Sequence, residues 1–258
     1  MPPAPAPRPG LIEREFGVPI PGVILEQTQW ARTALKQVPV GILDWPALFG
    51  RSAPVVIDIG CGNGRSTLHS AVAHPQADHL GIDILPVVIR YATRRANQRG
   101  LTNVRFAVIG GRELLAEHVA SHSVAEIHCY HPQPFYNPRE TGRRLITPEF
   151  LLLVHRALSP GGLLYLQTDN PGYWKYMQSV VPTFFEWEEL PGRWPDAPQG
   201  KTRREIMALA KRLPVFRGKG RARPGLGEAE ALARAASLPP PVFNADRRLR
   251  ALDREERE

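Results

Sequence analysis

Short apolar runs alternate with amphipathic stretches of helical length along the middle of the chain. Five apolar runs predict strands, at residues 55–59, 79–84, 104–109, 124–130 and 163–167. Helices are predicted between them, over residues 66–73, 86–99 and 148–158, and a turn is predicted over 159–162. Strands that alternate with helices favour right-handed crossovers. We therefore expect an α/β fold with a doubly wound, mostly parallel sheet.

Two segments outside this alternation have a different composition. Residues 1–10 are rich in proline, and we expect residues 1–20 to be disordered. From residue 218 onward Arg, Ala, Gly, Pro and Glu dominate, and large apolar residues are few. Such a composition buries little apolar surface, so residues 218–258 are expected to form a disordered tail. The folded domain is then predicted to span residues 21–217.

Charge and cysteine content narrow the class of protein. The 258 residues include 33 Lys and Arg against 25 Asp and Glu, which gives a formal net charge of +8. A basic surface attracts polyanions such as nucleic acid, although solvated arginines alone would give the same count. Cys61 and Cys129 lack metal-ligand spacing, so we expect no metal site and a reducing compartment. No signal peptide and no run near the ~20 apolar residues of a membrane span is present, which predicts a cytoplasmic protein.

A glycine cluster, DIGCGNG, directly follows the first predicted strand. Glycines let the backbone turn sharply and approach a ligand closely. Asp83 ends the second predicted strand, near the ~20-residue offset at which an acid accepts ribose hydroxyls. The spacing is GxGxG rather than GxGxxG, which disfavours a nicotinamide dinucleotide. The order of strand, glycine turn, helix, strand and acid favours a cofactor site over a turn that serves only helix packing. Asp58 is expected to contact the cofactor, although it could instead cap the next helix.

Five segments in order carry a family resemblance: GCGNG, GID, HPQPFYNPRETGRRLITPEF, LQTDNPGYW and KTRREIMALAKRLPVFR. Over about residues 40–217 the chain resembles the tRNA (guanine-N7-)-methyltransferases of the bacterial TrmB type. The resemblance implies a class I, Rossmann-like methyltransferase fold with S-adenosylmethionine as cofactor. It also implies tRNA as partner and methyl transfer to N7 of a variable-loop guanine. Three family positions differ, because Gln133 replaces the Asp of DPW, Asn137 the following Lys, and Gly110 an acid.

The resemblance also assigns site residues. It implies catalytic roles for Asp169 and Glu205, whose carboxylates could balance the positive charge that builds on guanine. It implies cofactor binding by Asp58, Gly60, Gly62, Gly64, Asp83, Gly110 and Gln133. It implies substrate binding by Asn137, Arg143, Arg144, Asp169, Thr202, Arg203, Arg204 and Glu205. Phosphate contacts are further expected from Arg139, Lys211 and Arg212.

Structural interpretations of these residues stay open at this point. Asp169 could cap a turn, and Glu205 could lie on the solvated face of an amphipathic helix. Phe135, in place of the family's Trp, could stack on a base or pack in the core. Two rival functions also stay open: a related methyltransferase with a changed acceptor, and a non-catalytic RNA-binding protein. Both a monomer and a homodimer are compatible with the sequence.

Overall fold

A seven-stranded sheet forms the centre of the molecule. The computed structural model describes residues 10–35 and 37–257. A short antiparallel hairpin of β1 (Arg14–Glu15) and β2 (Val18–Pro19) precedes the sheet. The strands of the sheet, in spatial order, are β5 (Val104–Val108), β4 (Asp78–Asp83), β3 (Val55–Ile59), β6 (Val124–Tyr130), β7 (Leu158–Thr168), β9 (Phe216–Ala222) and β8 (Phe185–Glu189). The first five in this order pair in parallel, whereas β9 pairs antiparallel with both β7 and β8.

Helices cover both faces of this sheet. They are α1 (Trp45–Phe49), α2 (Arg65–Ala73), α3 (Pro86–Gln98), α4 (Gly111–Glu113), α5 (Pro148–Ala157), α6 (Pro171–Val180), α7 (Arg203–Ala210), α8 (Glu228–Ser237) and α9 (Arg250–Arg257). Neighbouring residues of β5 enter different apolar clusters, Phe106 one and Ala107 the other. Successive strand side chains point to opposite faces, so the two clusters lie on opposite sides of the sheet. The expected doubly wound α/β fold is confirmed.

The predicted strands agree with the structure except at one connection. The segment 159–162, predicted as a turn, is instead part of β7, which begins directly after α5. The register with β6 is irregular between Val124 and Glu126, which is how the strand accommodates the Pro-Gly-Gly segment. Within the described residues, no helix is long and apolar enough to cross a membrane.

The segment expected to be a disordered tail has regular structure as far as it is described. Residues 218–222 continue β9, and α8, a 3-10 turn at Arg247–Leu249 and α9 follow, in contrast to the expected disorder. Ala231 and Ala235 of α8 are buried against the main apolar cluster, where α8 packs on α5. Small side chains permit this close packing, although they give the sequence little apolar content.

The N-terminal segment is also held in place where it is described. Residues 1–9 lie outside the described residues, but residues 10–20 include the β1–β2 hairpin, so the prediction of disorder is wrong there. Glu13 forms ion pairs with Arg95 at 2.8 Å and with Arg99 at 3.0 Å, both on or beside α3. Ile20 is buried in the apolar cluster beneath α2 and α3. Acidic residues within a Pro-rich segment thus bind arginines of the core domain.

Candidate active site

In open α/β sheets of this topology, a crevice for ligands is expected at the carboxyl ends of the central strands. In the sheet, β4 lies on one side of β3 and β6 lies on its other side. The strand order therefore reverses beside β3. Ligands of open α/β sheets bind outside the strand ends at such a position. Three segments border this crevice: the glycine turn after β3, the loop of residues 131–137 after β6, and Asp169 after β7.

The glycine turn has the left-handed backbone that its sequence predicts. Gly60, Gly62 and Gly64 have φ values of 76°, 53° and 80°, which side-chain-bearing residues rarely adopt. A Cβ added at Gly60 or Gly62 would meet nothing within 4 Å, so this part of the turn is open. A Cβ at Gly64 would lie 2.7 Å from Cβ of Ala92 on α3. Gly60 and Gly62 therefore leave room for a ligand, whereas Gly64 permits helix packing.

The two acids near this turn occupy different environments. The Asp83 carboxylate accepts backbone N–H bonds from Gly62 at 3.1 Å and from Leu85 at 3.0 Å, and it stays partly exposed at the end of β4. Asp58 is only 3% exposed, and its Oδ2 accepts a hydrogen bond from Thr67 Oγ1 of α2 at 2.7 Å. Burial raises the pKa of Asp58. Asp83 thus faces the crevice, whereas Asp58 anchors α2.

The loop after β6 has an unusual backbone. His131 and Phe135 have φ values of 52° and 45°, the left-handed region that non-glycine residues occupy only at a cost. Gln133 lies between them and is exposed. Asn137 ends the loop, and its side chain accepts a hydrogen bond from the Arg139 N–H at 3.1 Å. Across the sheet, Gly110 precedes α4 with an extended backbone (φ −75°) at the end of β5.

Asp169 is bound by two side chains. Its Oδ2 accepts a hydrogen bond from Arg204 Nε at 2.7 Å, and its Oδ1 lies 3.6 Å from His131 Nδ1. Burial acts to raise the pKa of Asp169, but the hydrogen bonds and charges of His131 and Arg204 outweigh it and lower the pKa to about 2. Asp169 is therefore ionised at neutral pH. A simple turn-capping role does not describe it.

A chain of hydrogen bonds fixes the His131 ring. The indole N–H of Trp194 donates to Gln167, which must present its carbonyl oxygen because an indole nitrogen cannot accept. The Gln167 Nε2 amide then donates to His131 Nε2 at 2.7 Å. His131 Nε2 is consequently an acceptor, and the ring proton lies on Nδ1, toward Asp169.

Glu205 is buried and paired rather than solvated. It is fully buried, so a solvated helix face is excluded. Its Oε1 pairs with the Arg217 guanidinium, and its Oε2 accepts the Lys201 N–H at 2.7 Å. Thr202 caps the same helix, because its Oγ1 accepts the Glu205 N–H at 3.0 Å. Both carboxylate oxygens of Glu205 are bound within the protein.

The basic residues expected at the RNA surface differ in their exposure to solvent. Arg144 and Arg204, for which the resemblance implies substrate binding, are instead buried and donate to protein acceptors. Arg144 donates to the backbone oxygens of Pro134 at 2.7 Å and of Pro241 at 2.6 Å. Arg203 is partly exposed and pairs with Glu15 at 3.4 Å. The side chains that stay exposed are Arg139, Arg143, Lys211 and Arg212.

The sequence reasoning missed four residues of the Asp169 cluster. They are His131, Gln167, Trp194 and Asp253, the last of which binds Arg204 from α9 at 2.5 Å. His131 and Gln167 lie at the carboxyl ends of β6 and β7, and that position was an available signal. Trp194 and Asp253 lie far away in sequence, so no local pattern connected them to the site.

Similarity to known proteins identifies the family. A family model described as "Putative methyltransferase" matches residues 52–217. The tRNA (guanine-N(7)-)-methyltransferase of Alkalilimnicola ehrlichii is 33% identical over 191 residues, covering 72% of this chain and 81% of that relative. The protein of the same name from Halorhodospira halophila is 32% identical over 186 residues, covering 70% and 80%. The chain belongs to the tRNA (guanine-N7-)-methyltransferase family. The resemblance carried by the five sequence segments is thereby confirmed.

A solved structure supports the fold of this tRNA (guanine-N7-)-methyltransferase family member. The 16S rRNA methyltransferase KamB superposes with a TM-score of 0.55 at 17% identity, covering 73% of this chain and 97% of that chain. At that identity the likeness concerns the fold alone. The three departures from the family motifs, Gly110, Gln133 and Asn137, lie on loops rather than in the strands and helices of the α/β core.

Proposed function

We propose that this protein transfers a methyl group from S-adenosylmethionine to N7 of a guanine in the variable loop of tRNA. The observation that carries the proposal is a shared crevice: the glycine turn after β3 and the Asp169–His131 pair border the same strand ends. The relatives named tRNA (guanine-N(7)-)-methyltransferase support the acceptor, since they align with most of the chain. We place the reaction in the cytoplasm, where tRNA is modified.

The residues around the glycine turn fit an adenosyl cofactor. Gly60 and Gly62 leave their ligand side open, and the partly exposed Asp83 carboxylate retains acceptor capacity for ribose hydroxyls. Ile84 is 65% exposed and Val108 is 46% exposed just beyond it, which offers apolar surface to a purine. Gly110 brings no carboxylate to this surface. When bound, S-adenosylmethionine supplies a methyl group activated by a sulfonium sulfur.

The chain's own residues have two tasks in such a transfer. Guanine N7 carries an exposed lone pair, so no side chain has to remove a proton before the attack. The protein must align the base and stabilise the positive charge that builds on it. Asp169 stays ionised because its pKa is about 2, and Gln167 holds the neighbouring His131 in one tautomer. Phe135, partly exposed in the adjacent loop, offers a ring for stacking on the base.

The exposed basic side chains extend the proposal to the RNA backbone. Arg143 lies over the Phe135 ring, with its guanidinium carbon 4.9 Å from the ring centroid. A phosphate held by Arg143 would therefore lie beside a base stacked on Phe135. Lys211 and Arg212 at the end of α7 add positive charge. Binding through phosphates releases counterions, so tRNA affinity should fall steeply with salt, while cofactor affinity should change little.

The reaction is tested with purified protein, an unmodified tRNA transcript and methyl-labelled S-adenosylmethionine. We expect label in 7-methylguanosine on nucleoside analysis, and its loss when the variable-loop guanine is replaced by adenine. Asp169→Asn should lower the yield strongly. Arg234→Ala, on the exposed side of α8, should not change it. Label found only in another nucleoside would replace the proposed acceptor, and no transfer to any RNA would overturn the proposal.

A further inference from the structure

The carboxylates Asp169 and Glu205 are each paired with an arginine, so their charges cancel pair by pair. Asp169 is bound by Arg204, and Glu205 is bound by Arg217, so each carboxylate is offset by a guanidinium. Gln133 brings no charge to the position of the family's Asp. These groups alone would present no net negative charge to a cation formed on guanine.

Asp253 changes that balance. Its Oδ1 lies 2.5 Å from Arg204 Nη1, while Arg204 Nε binds Asp169 at 2.7 Å. One guanidinium thus lies between two carboxylates, and the three groups together carry a net charge of −1. Asp253 also lies near Tyr136 of the loop after β6: burial, and then the charge of Asp253, raise the pKa of Tyr136. Arg250 contacts the Tyr136 ring from the exposed side, where solvent screens its charge.

The segment that carries Asp253 is firmly docked at this position. Leu249 and Leu252 are buried, the latter against Met207 and Ala208 of α7. Farther back, a Cβ added at Gly172 would lie 2.7 Å from the Asn244 carbonyl oxygen, so the segment passes directly over the start of α6. These buried apolar contacts and the close backbone approach hold α9 in place beside α7.

We propose that Asp253 is a positioning residue of the acceptor site: by sharing Arg204 with Asp169, it leaves these three groups with one negative charge that favours a cationic base. The inference rests on the proposed methyl transfer to guanine N7. It explains how a chain with Gln133 can stabilise the transition state, since the carboxylate comes from α9 instead. The net negative charge of this largely buried cluster acts over several ångströms, because burial reduces its screening by solvent.

The test compares full-length Asp253→Asn with Asp253→Glu, which restores the charge. Glu255→Gln, on the same helix but paired at the surface with Lys211, is the matched control. We expect Asp253→Asn to lower the single-turnover rate at saturating tRNA and cofactor by at least about tenfold. The KM for tRNA and the Kd for S-adenosylhomocysteine should stay within about twofold of wild type. Asp253→Glu should recover most of the rate, and Glu255→Gln should retain all of it.

A binding measurement separates this inference from the proposed reaction. With S-adenosylhomocysteine present, wild type should bind 7-methylguanosine, at a pH where it is cationic, more tightly than neutral guanosine. Asp253→Asn should lose this preference by about tenfold. Equal losses in Asp253→Asn and Asp253→Glu, or an unchanged preference in Asp253→Asn, would overturn the inference. If wild type makes no 7-methylguanosine, the proposed function fails, while the nucleoside preference still decides the role of Asp253.

Discussion

The guanidinium carbon of Arg144 lies 3.5 Å from the ring centroid of Phe243. The same side chain donates four hydrogen bonds to backbone oxygens, two in the loop after β6 and two in the segment of residues 241–243. Phe243 in turn stacks on Tyr173 of α6 at 4.7 Å. One buried arginine thus connects the loop after β6 to the segment that leads into α9.

Substitution of the adjacent residues Arg143 and Arg144 should affect different properties, tRNA binding for Arg143 and stability for Arg144. Arg144→Met removes buried hydrogen bonds and strands four carbonyl oxygens, so we expect a loss of about 3 kcal/mol in the free energy of unfolding. Arg143→Met should change stability by less than about 0.5 kcal/mol but weaken tRNA binding and reduce its salt slope by about 1. Urea denaturation and tRNA titrations at several salt concentrations measure both effects. Equal stability of the two variants would contradict the binding of two segments by Arg144.

Asp83→Ala should weaken cofactor binding without unfolding the protein. The carboxylate orients the glycine turn through the Gly62 N–H and is expected to accept ribose hydroxyls. We expect S-adenosylhomocysteine to bind at least about tenfold more weakly, a loss of about 1.4 kcal/mol in titration calorimetry. Asp44→Ala, which removes the cap of α1 away from the crevice, should bind like wild type. Unchanged affinity in Asp83→Ala would remove this residue from the cofactor site.

Glu205→Gln should act mainly on stability. The substitution leaves the Arg217 charge buried without its carboxylate, which typically costs about 3–5 kcal/mol. The double variant Glu205→Gln with Arg217→Met should recover part of that loss, because no buried charge then remains. Denaturant titrations of wild type, Glu205→Gln, Arg217→Met and the double variant give the coupling energy between the two residues. A stable Glu205→Gln protein that has lost only transfer activity would instead assign Glu205 to the reaction.

The pKa of Asp169 predicts a specific acid sensitivity. Its value falls from 3.8 to about 2 on folding, so the unfolded chain binds the proton more readily than the native one between these values. The stabilisation is therefore complete above about pH 4 and is lost as the pH falls toward 2, an effect of about 2 kcal/mol. The stability difference between wild type and Asp169→Asn should shrink by this amount across that window. A constant difference would show that Asp169 titrates normally.

Local patterns predicted the parallel half of the fold. The run Val-Val-Ile-Asp-Ile before a glycine turn predicted β3 to the residue, and β6 was predicted with equal accuracy. The antiparallel strands β8 and β9 were missed, because β9 reads Phe-Arg-Gly-Lys-Gly-Arg-Ala and lacks an apolar alternation. Its glycines serve packing, since a Cβ at Gly218 would lie 2.2 Å from the Trp187 ring. Such a strand is specified by its neighbour rather than by its own sequence.

The candidate site was predictable where a residue follows a strand end. Asp83 and Asp169 lie at the strand ends that the sequence indicated, but the partners of the buried charges could not be predicted. The sequence does not show that Arg204 points inward to Asp169 while Arg143 points outward to solvent. The inward orientation of Arg204 involves Asp253 of α9, which lies 49 residues away along the chain. Burial of an arginine is a tertiary property.

The left-handed backbone at His131 and Phe135 has a consequence for substrate recognition. Prolines at 132 and 134 restrict the residues between and before them, and Arg144 holds two of the loop's carbonyl oxygens. In the proposed reaction the loop meets the base already in one conformation, so little chain entropy is left to lose on binding. The conformational cost of this preorganisation, about 1 kcal/mol or more at each of the two residues, falls on folding and not on each turnover.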